Sequence, residues 1–189
     1  MLVKRIISLA AEIIGLDDEV KYLLGGVTDD LPSREEETEK LLSAYNAALC
    51  CVATDYAPLV KRLVAENTKE IPFSAFSDIP AEILSVNDKY GFGVSYTQSA
   101  AGVTLDKTRP VTVIEYRYIP EDRGIDDECD YGFFDKITPR ALAEGTAAAY
   151  LRAAGEFSKA AEWRKAFEES VRACLKPRGK LVLPKRRWL

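Results

Sequence analysis

Apolar residues in the first third of the chain recur with the spacing of an α-helix. Between residues 2 and 14 they lie three and four positions apart, and polar residues occupy the opposite side. This pattern predicts an amphipathic helix. A second, short helix is expected over residues 17–24, where Gly25-Gly26 ends it. Residues 27–32 are expected to form a loop.

A longer helix is predicted to follow this loop. Ser33-Arg34-Glu35-Glu36 is a capping box, in which the serine hydroxyl accepts from an N–H of the first turn while Glu36 reaches back. Helical spacing of apolar residues then continues to about Ala65. Pro58 predicts a kink, or a break near Ala57, because proline cannot donate the backbone hydrogen bond.

The middle third of the chain changes to the shorter period of β-strands. Asp88-Lys89-Tyr90-Gly91 predicts a hairpin turn with glycine in a positive-φ position. In the last strand Thr112, Ile114, Tyr116 and Tyr118 share one face. These features predict a small antiparallel sheet that is partly solvated on one side, followed by an acidic loop over residues 120–135. The expected strands are residues 70–73, 83–87, 92–96, 103–105 and 111–118.

The final third is predicted to be a helical hairpin. Thr138 is the expected N-cap of its first helix, Pro139 the first helical residue and Gly155 the C-cap. The second helix should begin near Phe157 and end before Pro177. We expect its apolar stripe to pack against the N-terminal helices, with Trp163 and Phe167 largely buried; the stripe consists of Ala160, Trp163, Phe167, Val171 and Cys174.

The combined pattern predicts an α+β fold: a helical bundle from the N- and C-terminal helices, with an intervening small antiparallel β-sheet. The 189 residues are enough for one domain, or for two small units that share a core. We expect the two helical parts to share that core. The predicted parts are N-terminal helices over residues 1–67, a β portion over 68–135, a C-terminal helical hairpin over 136–176 and a basic extended tail over 177–189.

The chain contains no histidine, which limits the catalytic and metal-binding sites that it can form. This absence excludes Ser-His-Asp and Cys-His nucleophilic sites and imidazole metal ligands. The four cysteines form no CxxC pair and are expected to be reduced core residues; they are Cys50, Cys51, Cys129 and Cys174. No catalytic signature stands out, so we expect no catalytic residues, no cofactor, no metal and no enzymatic activity.

Two segments partly match known ligand-binding motifs. Asp126, Asp127, Glu128 and Asp130 suggest a calcium loop, but Tyr131 stands where an EF-hand requires glycine, and Ile137 stands where it requires glutamate. A solvated acidic loop is the better interpretation. Residues 91–93, Gly-Phe-Gly, lack the lysine and the following helix of a phosphate loop.

The C-terminal segment has the strongest charge asymmetry. Six basic residues and no acidic one lie between Lys176 and Leu189, so the rest of the chain has a formal charge of −10. Because apolar residues accompany these charges, we interpret the segment as an extended arm that docks onto a protein surface. Docking onto this chain's own acidic body, nucleic-acid binding and disorder are alternatives. The expected interaction residues are Leu181, Val182, Leu183, Lys185, Arg186, Arg187, Trp188 and Leu189.

The N-terminal residues partly resemble a signal peptide. Glu12 interrupts the apolar stretch and no clear cleavage site follows, so we expect a retained helix. No apolar run approaches the roughly 20 residues of a membrane-spanning helix. A soluble, intracellular protein is expected.

Several local patterns point to one family. They are FSDIPAEILSVNDKYGFGVSY at residues 76–96, the tyrosine-rich strand end at 116–120, the hairpin at 141–175 with its small-residue first helix and Gly-Glu-Phe turn, and the basic end LPKRRWL. In this order the chain resembles the head–tail connector (adaptor) proteins of tailed bacteriophages and prophages, particularly those related to tail tubular protein A.

The resemblance implies a structural virion protein of the head–tail junction, present in the host bacterial cytoplasm before assembly. Such adaptors form a ring, usually of twelve copies, under the portal protein, where they extend the DNA channel and dock the tail or a stopper protein. DNA is then passing cargo only, and no membrane is involved. In related connectors the C-terminal segment reaches a neighbouring ring, which implies that role for residues 181–189. Alternatives are a host-encoded helical protein-interaction module with a β insert and a small enzyme that uses carboxylates and tyrosines.

Overall fold

The computed structural model describes residues 2–26, 31–129 and 136–176. Its helices are α1 (Val3–Ile14), α2 (Asp17–Leu23), α3 (Leu31–Cys51), α4 (Pro139–Ala153) and α5 (Phe157–Leu175). Its strands are β1 (Leu59–Pro72), β2 (Pro80–Asp88), β3 (Tyr96–Gln98) and β4 (Gly102–Tyr118). None of the helices in these described ranges is long and apolar enough to cross a membrane.

Helices from the two ends of the chain share one hydrophobic core. Ile6 of α1, Tyr45 of α3, Leu142 of α4 and Phe167 of α5 all belong to a single cluster of buried side chains. Close approach of α4 is possible because Gly145 has no side chain: a Cβ placed there would lie 2.9 Å from the Phe167 ring. The predicted α+β arrangement, with a bundle built from both chain ends, is confirmed.

The four strands form one antiparallel sheet around β4. β1 pairs along one edge of β4, while β2 and then β3 pair along the other edge. Thr112, Ile114 and Tyr116 of β4 are buried on the predicted face. The apolar residues of this face form a second cluster, and Tyr118 packs against both clusters. Tyr118 therefore joins the sheet to the helical bundle.

The other face of the sheet is exposed, as predicted. Val60 and Val64 of β1 are 46% and 56% exposed, and ion pairs lie between the strands. Arg62 pairs with Glu115 across β1 and β4 at 3.1 Å. This alternation of inward apolar and outward polar or small apolar residues is typical of an antiparallel sheet with one solvated face.

The prediction that α3 runs to about Ala65 is wrong. The helix ends at Cys51, a π-helical turn covers Val52–Tyr56, and β1 begins at Leu59. Pro58 ends the helix because it cannot donate to a preceding carbonyl. The residues after it then alternate between a buried and an exposed face along the pairing with β4, so the β portion begins at residue 59 rather than 68.

The predicted helix start at Ser33 is also wrong. α3 already includes Leu31 and Pro32, so Ser33 is its third residue rather than its N-cap. Proline is favoured in the first helical turn, since the N–H that it lacks has no partner there.

The predicted strands differ from the observed ones in number and length. Residues 103–105 and 111–118 belong to one strand, β4, and the strand expected at 92–96 is replaced by the shorter β3 at Tyr96–Gln98. The turn at Asp88–Gly91 is confirmed, since the Gly91 N–H donates to the Asp88 carbonyl at 3.0 Å and Gly91 has a φ of +86°. Pairing with the long β1 makes β4 continuous.

The ends of the C-terminal hairpin are confirmed. The Thr138 hydroxyl accepts a hydrogen bond from the Ala141 N–H at 3.3 Å, and Pro139 is the first residue of α4. Gly155 follows α4 with a φ of +82°. In α5, Phe167 is buried in the shared core, whereas Trp163 is partly exposed and does not belong to that cluster, so its expected packing against the N-terminal helices is not observed.

Candidate interaction surfaces

The predicted interaction residues of the tail, residues 181–189, lie outside the described residues, as do residues 27–30 of the predicted loop and 130–135 of the acidic loop. The structure does place the residues that precede the tail. α5 ends at Leu175, and the Cys174 thiol lies 3.9 Å from the Thr138 hydroxyl at the start of α4. The tail therefore begins at the end of the bundle where α4 starts.

The described part of the acidic loop caps α1. The N–H of Val3 donates to the Asp127 carbonyl, and the N–H of Lys4 donates to the Ile125 carbonyl, both at 3.0 Å. The Asp127 carboxylate accepts from the Gly124 N–H at 2.7 Å. These bonds satisfy helix N–H groups that would otherwise lack partners. Within the described ranges, no group of three or more Asp, Glu, Cys or His side chains is placed to hold a metal ion.

A groove with an acidic rim, which we call the acidic groove, lies along α3. It has a volume of about 420 Å³. Asn46 holds its wall in place by two hydrogen bonds to the backbone of Arg123: the Asn46 side-chain nitrogen donates at 3.1 Å, and its oxygen accepts at 2.9 Å. The groove is lined by Glu39, Leu42, Ser43, Asn46, Ala47, Cys50 and Asp122.

A second groove, which we call the alanine groove, lies between α3, α4 and α5. It has a volume of about 700 Å³, and its lining is mostly alanine. Arg152 and Arg164 line it, and Phe157, which is 69% exposed, lies at one side. Cys51 also lines it, and burial followed by a hydrogen bond to Asp55 raises the pKa of this thiol to about 11. The groove is thus apolar with basic side chains, and its thiol stays protonated at neutral pH.

One cluster on the sheet places a serine, a lysine and a tyrosine together. The Ser77 hydroxyl lies 3.1 Å from the Tyr116 hydroxyl and donates to Asp78 at 2.8 Å, and Asp78 pairs with Lys61. The hydrogen bond to Asp78 raises the pKa of Lys61, so the amine stays protonated and cannot act as a general base. The cluster fastens the segment before β2 to the sheet.

A second polar cluster lies between α2, α3 and α4. Glu19 is fully buried, accepts a hydrogen bond from Thr38 and lies 3.7 Å from the Arg34 guanidinium. In the same region the Tyr150 hydroxyl donates to Glu37. Burial, and then the hydrogen bond to Glu37, raise the pKa of Tyr150 to about 12. The cluster connects three helices through hydrogen bonds and ion pairs.

Replacing Tyr150 with phenylalanine should reduce stability by about 1–2 kcal/mol at pH 8, because Glu37 loses a hydrogen-bond donor. The phenol has a pKa of about 12 in the folded chain and near 10 when unfolded, so its stabilising effect is complete below pH 10 and is lost as the pH rises towards 12. Urea unfolding at pH 8 and pH 11 measures this. The difference between wild type and Y150F should shrink at pH 11.

The matched control is Tyr90→Phe. Tyr90 is 71% exposed, so this variant should unfold like the wild type at both pH values. A Y150F variant that is as stable as the wild type at pH 8 would contradict the proposed role of the hydrogen bond.

The sequence patterns did not reveal the two grooves. Each groove joins residues that are distant in the chain, such as Asn46 with Asp122, or Ala48 with Ala160. The small residues Gly145, Ala147, Ala148 and Ala149 are visible in the sequence, but such residues indicate close helix packing and not a groove. Serine, lysine and tyrosine at positions 77, 61 and 116 follow no motif spacing, so that cluster was not predicted either.

No protein-family model matches the chain. A search of curated proteins also finds no matching relative.

Proposed function

We propose that this protein is a structural component of the head–tail junction of a tailed phage or prophage. Copies of the chain would form a ring under the portal protein, extend the DNA channel and dock the tail or a stopper protein. The observation that carries this proposal is the core that α1 and α3 share with α4 and α5, with the sheet inserted between them in the sequence. This is the layout that the resemblance to connector proteins implies.

The polar clusters support a role without catalysis. The Lys61 amine and the Asp78 carboxylate neutralise each other, and the buried Glu19 is paired with Arg34. A general base or nucleophile needs a group held in its reactive protonation state beside a space for substrate. The described clusters hold helices and strands together instead.

The charge distribution supports DNA as passing cargo. Outside the segment from Lys176 onward the chain has a formal charge of −10. Binding to the phosphate backbone depends mainly on positive charge, so an acidic wall lets DNA slide without holding it. The basic tail would then be available for protein contacts.

Electron microscopy tests the proposal directly. The chain is mixed with the portal protein encoded near its gene, and particles are averaged along the portal axis. We expect added ring density on one end of the portal. A portal whose density stays unchanged at saturating protein would overturn the proposal, and so would gene neighbours that encode no portal, terminase or capsid protein.

The alanine groove favours a second candidate, a host-encoded helical interaction module with a β insert. Its small-residue floor would let a partner helix approach α4 and α5 closely, with Phe157 as an exposed contact. In that case Ala149→Phe, which fills the groove, should abolish partner capture from host lysate. For a connector, the same variant should leave portal binding unchanged.

A further inference from the structure

We infer that the acidic groove receives the basic segment 177–189 of a second copy of this chain. The choice of a second copy rests on the ring proposed above. The proposal adds the contact that would join neighbouring copies, and it depends on the charge and the apolar floor of the groove and on the length of the tail.

The charge of the acidic groove is not neutralised among the described residues. Glu39 and Asp122 on its rim form no ion pair there, whereas Lys40 pairs with the nearby Glu36 at 2.9 Å and Glu37 at 3.4 Å. The segment from Lys176 to Leu189 contains six basic residues and no acidic one. Opposite charges of this kind steer partners together and fix their register.

The floor of the acidic groove matches the apolar part of the same segment. Leu42 and Cys50 are half-buried in the groove wall, beside Ala47. The tail interleaves Leu181–Leu183 and Trp188 with its lysines and arginines. Aromatic and arginine side chains commonly supply most of the binding energy of an interface. A purely polar partner would leave this floor in contact with water.

The alanine groove is a poorer receptor for the tail. Arg152 and Arg164 line it; Arg164 pairs with Glu168 at 3.1 Å, but Arg152 has no ion pair among the described residues, so a basic segment would meet a like charge there. Like-charge contacts across an interface oppose binding. The two grooves therefore differ in the sign of their charged residues, and only the acidic groove complements the tail.

The length of the tail allows a contact between copies. Its thirteen residues reach about 40 Å at about 3.3 Å per residue. The stretch of α3 from Glu39 to Cys50 is about 17 Å long. Roughly half of the tail can therefore lie in the groove while the remainder spans the gap between subunits. Because arm and receptor are different parts of the surface, repetition of this contact from copy to copy can close a ring.

Charge reversal in the full chain tests the contact. One variant carries Glu39→Lys and Asp122→Lys in the groove, and another carries Lys185→Glu, Arg186→Glu and Arg187→Glu in the tail. Sedimentation velocity should show each variant self-associating at least about tenfold more weakly than the wild type, since like charges now meet. A chain with both sets of changes should regain association. The matched control, Glu162→Lys with Glu169→Lys, has the same charge change on exposed positions of α5 and should behave like the wild type.

Cysteine crosslinking identifies which copy supplies the tail. Cys50 lines the acidic groove, so oxidation of a Leu183→Cys variant should join the new thiol to Cys50. In a mixture of ¹⁴N- and ¹⁵N-labelled chains, mass spectrometry should find crosslinked peptides that combine both isotopes. Adding Cys50→Ser should remove the crosslink. Crosslinks found only within one chain would overturn the assignment to a second copy.

The inference would also be overturned if the groove variant associated as strongly as the wild type. It would be overturned as well if the wild-type chain stayed monomeric at high concentration. Binding to the portal protein distinguishes an error in the proposed contact from an error in the proposed function. If the groove variant still adds a ring to the portal, the connector role stands and only this contact is wrong. If the wild type fails to bind the portal while the crosslink forms, the contact stands and the connector role is wrong.

Discussion

Replacing Phe167 with alanine is expected to lower the free energy of unfolding by about 3–5 kcal/mol. The ring is only 3% exposed and packs against Gly145 of α4 and edge-on against Tyr56, with 5.9 Å between ring centroids. Its removal leaves a cavity where α4, α5 and the end of α3 meet, and the surrounding helices cannot fill it completely. Urea unfolding followed by circular dichroism measures the loss.

Two other aromatic residues of α5 are matched controls. Phe157 is 69% exposed, so Phe157→Ala should change stability by less than about 0.5 kcal/mol. Trp163 is half-buried, so Trp163→Ala should fall between the two. A loss below about 1 kcal/mol for F167A would show that α5 contributes little to the shared core.

Deleting residues 185–189 is expected to abolish incorporation into rings or phage heads while leaving the melting temperature nearly unchanged. The segment contains Trp188 flanked by arginine, a combination that is typical of interface anchors. The two prolines, the glycine and the dense positive charge of residues 177–189 oppose helix formation, so the segment is expected to add little to the fold. Differential scanning calorimetry and electron microscopy of assembled particles measure the two effects.

A variant of unchanged length shows whether the deletion acts by removing side-chain contacts or by shortening the chain. Replacing residues 185–189 with five glycine and serine residues should be as defective in assembly as the deletion. A marked fall in melting temperature on deletion would instead mean that the tail packs on its own chain. Normal assembly of the deletion variant would contradict the role of the tail.

Sequence signals that act over a few residues correctly predicted the helix ends and the strand face that depend on such short-range effects. Thr138, Pro139 and Gly155 placed α4, because an N-cap hydroxyl, a proline in the first turn and a positive-φ glycine act within one helical turn. The alternation from Thr112 to Tyr118 likewise gave the buried face of β4, since successive strand residues point to opposite faces.

The same local signals failed where a distant partner decides the structure. Residues 59–65 suit either a helix or a strand by their apolar spacing, and pairing with residues 112–118 of β4 makes them a strand. That partner lies about fifty residues away, so no window around Leu59 contains it. The partial exposure of Trp163 is also a tertiary outcome, because the residue of α5 that packs on Gly145 of α4 is Phe167.

By itself, the sequence determined the α+β class, the ends of the C-terminal hairpin, the absence of imidazole chemistry and the charge asymmetry of the tail. These follow from composition and from interactions within a few residues. Only the tertiary structure decided where α3 ends and β1 begins, and which polar side chains neutralise each other. It alone also showed that α3 borders two grooves whose charged residues differ in sign. Those outcomes depend on contacts between distant segments, and the periodicity of a single segment carries no information about which segment will face it.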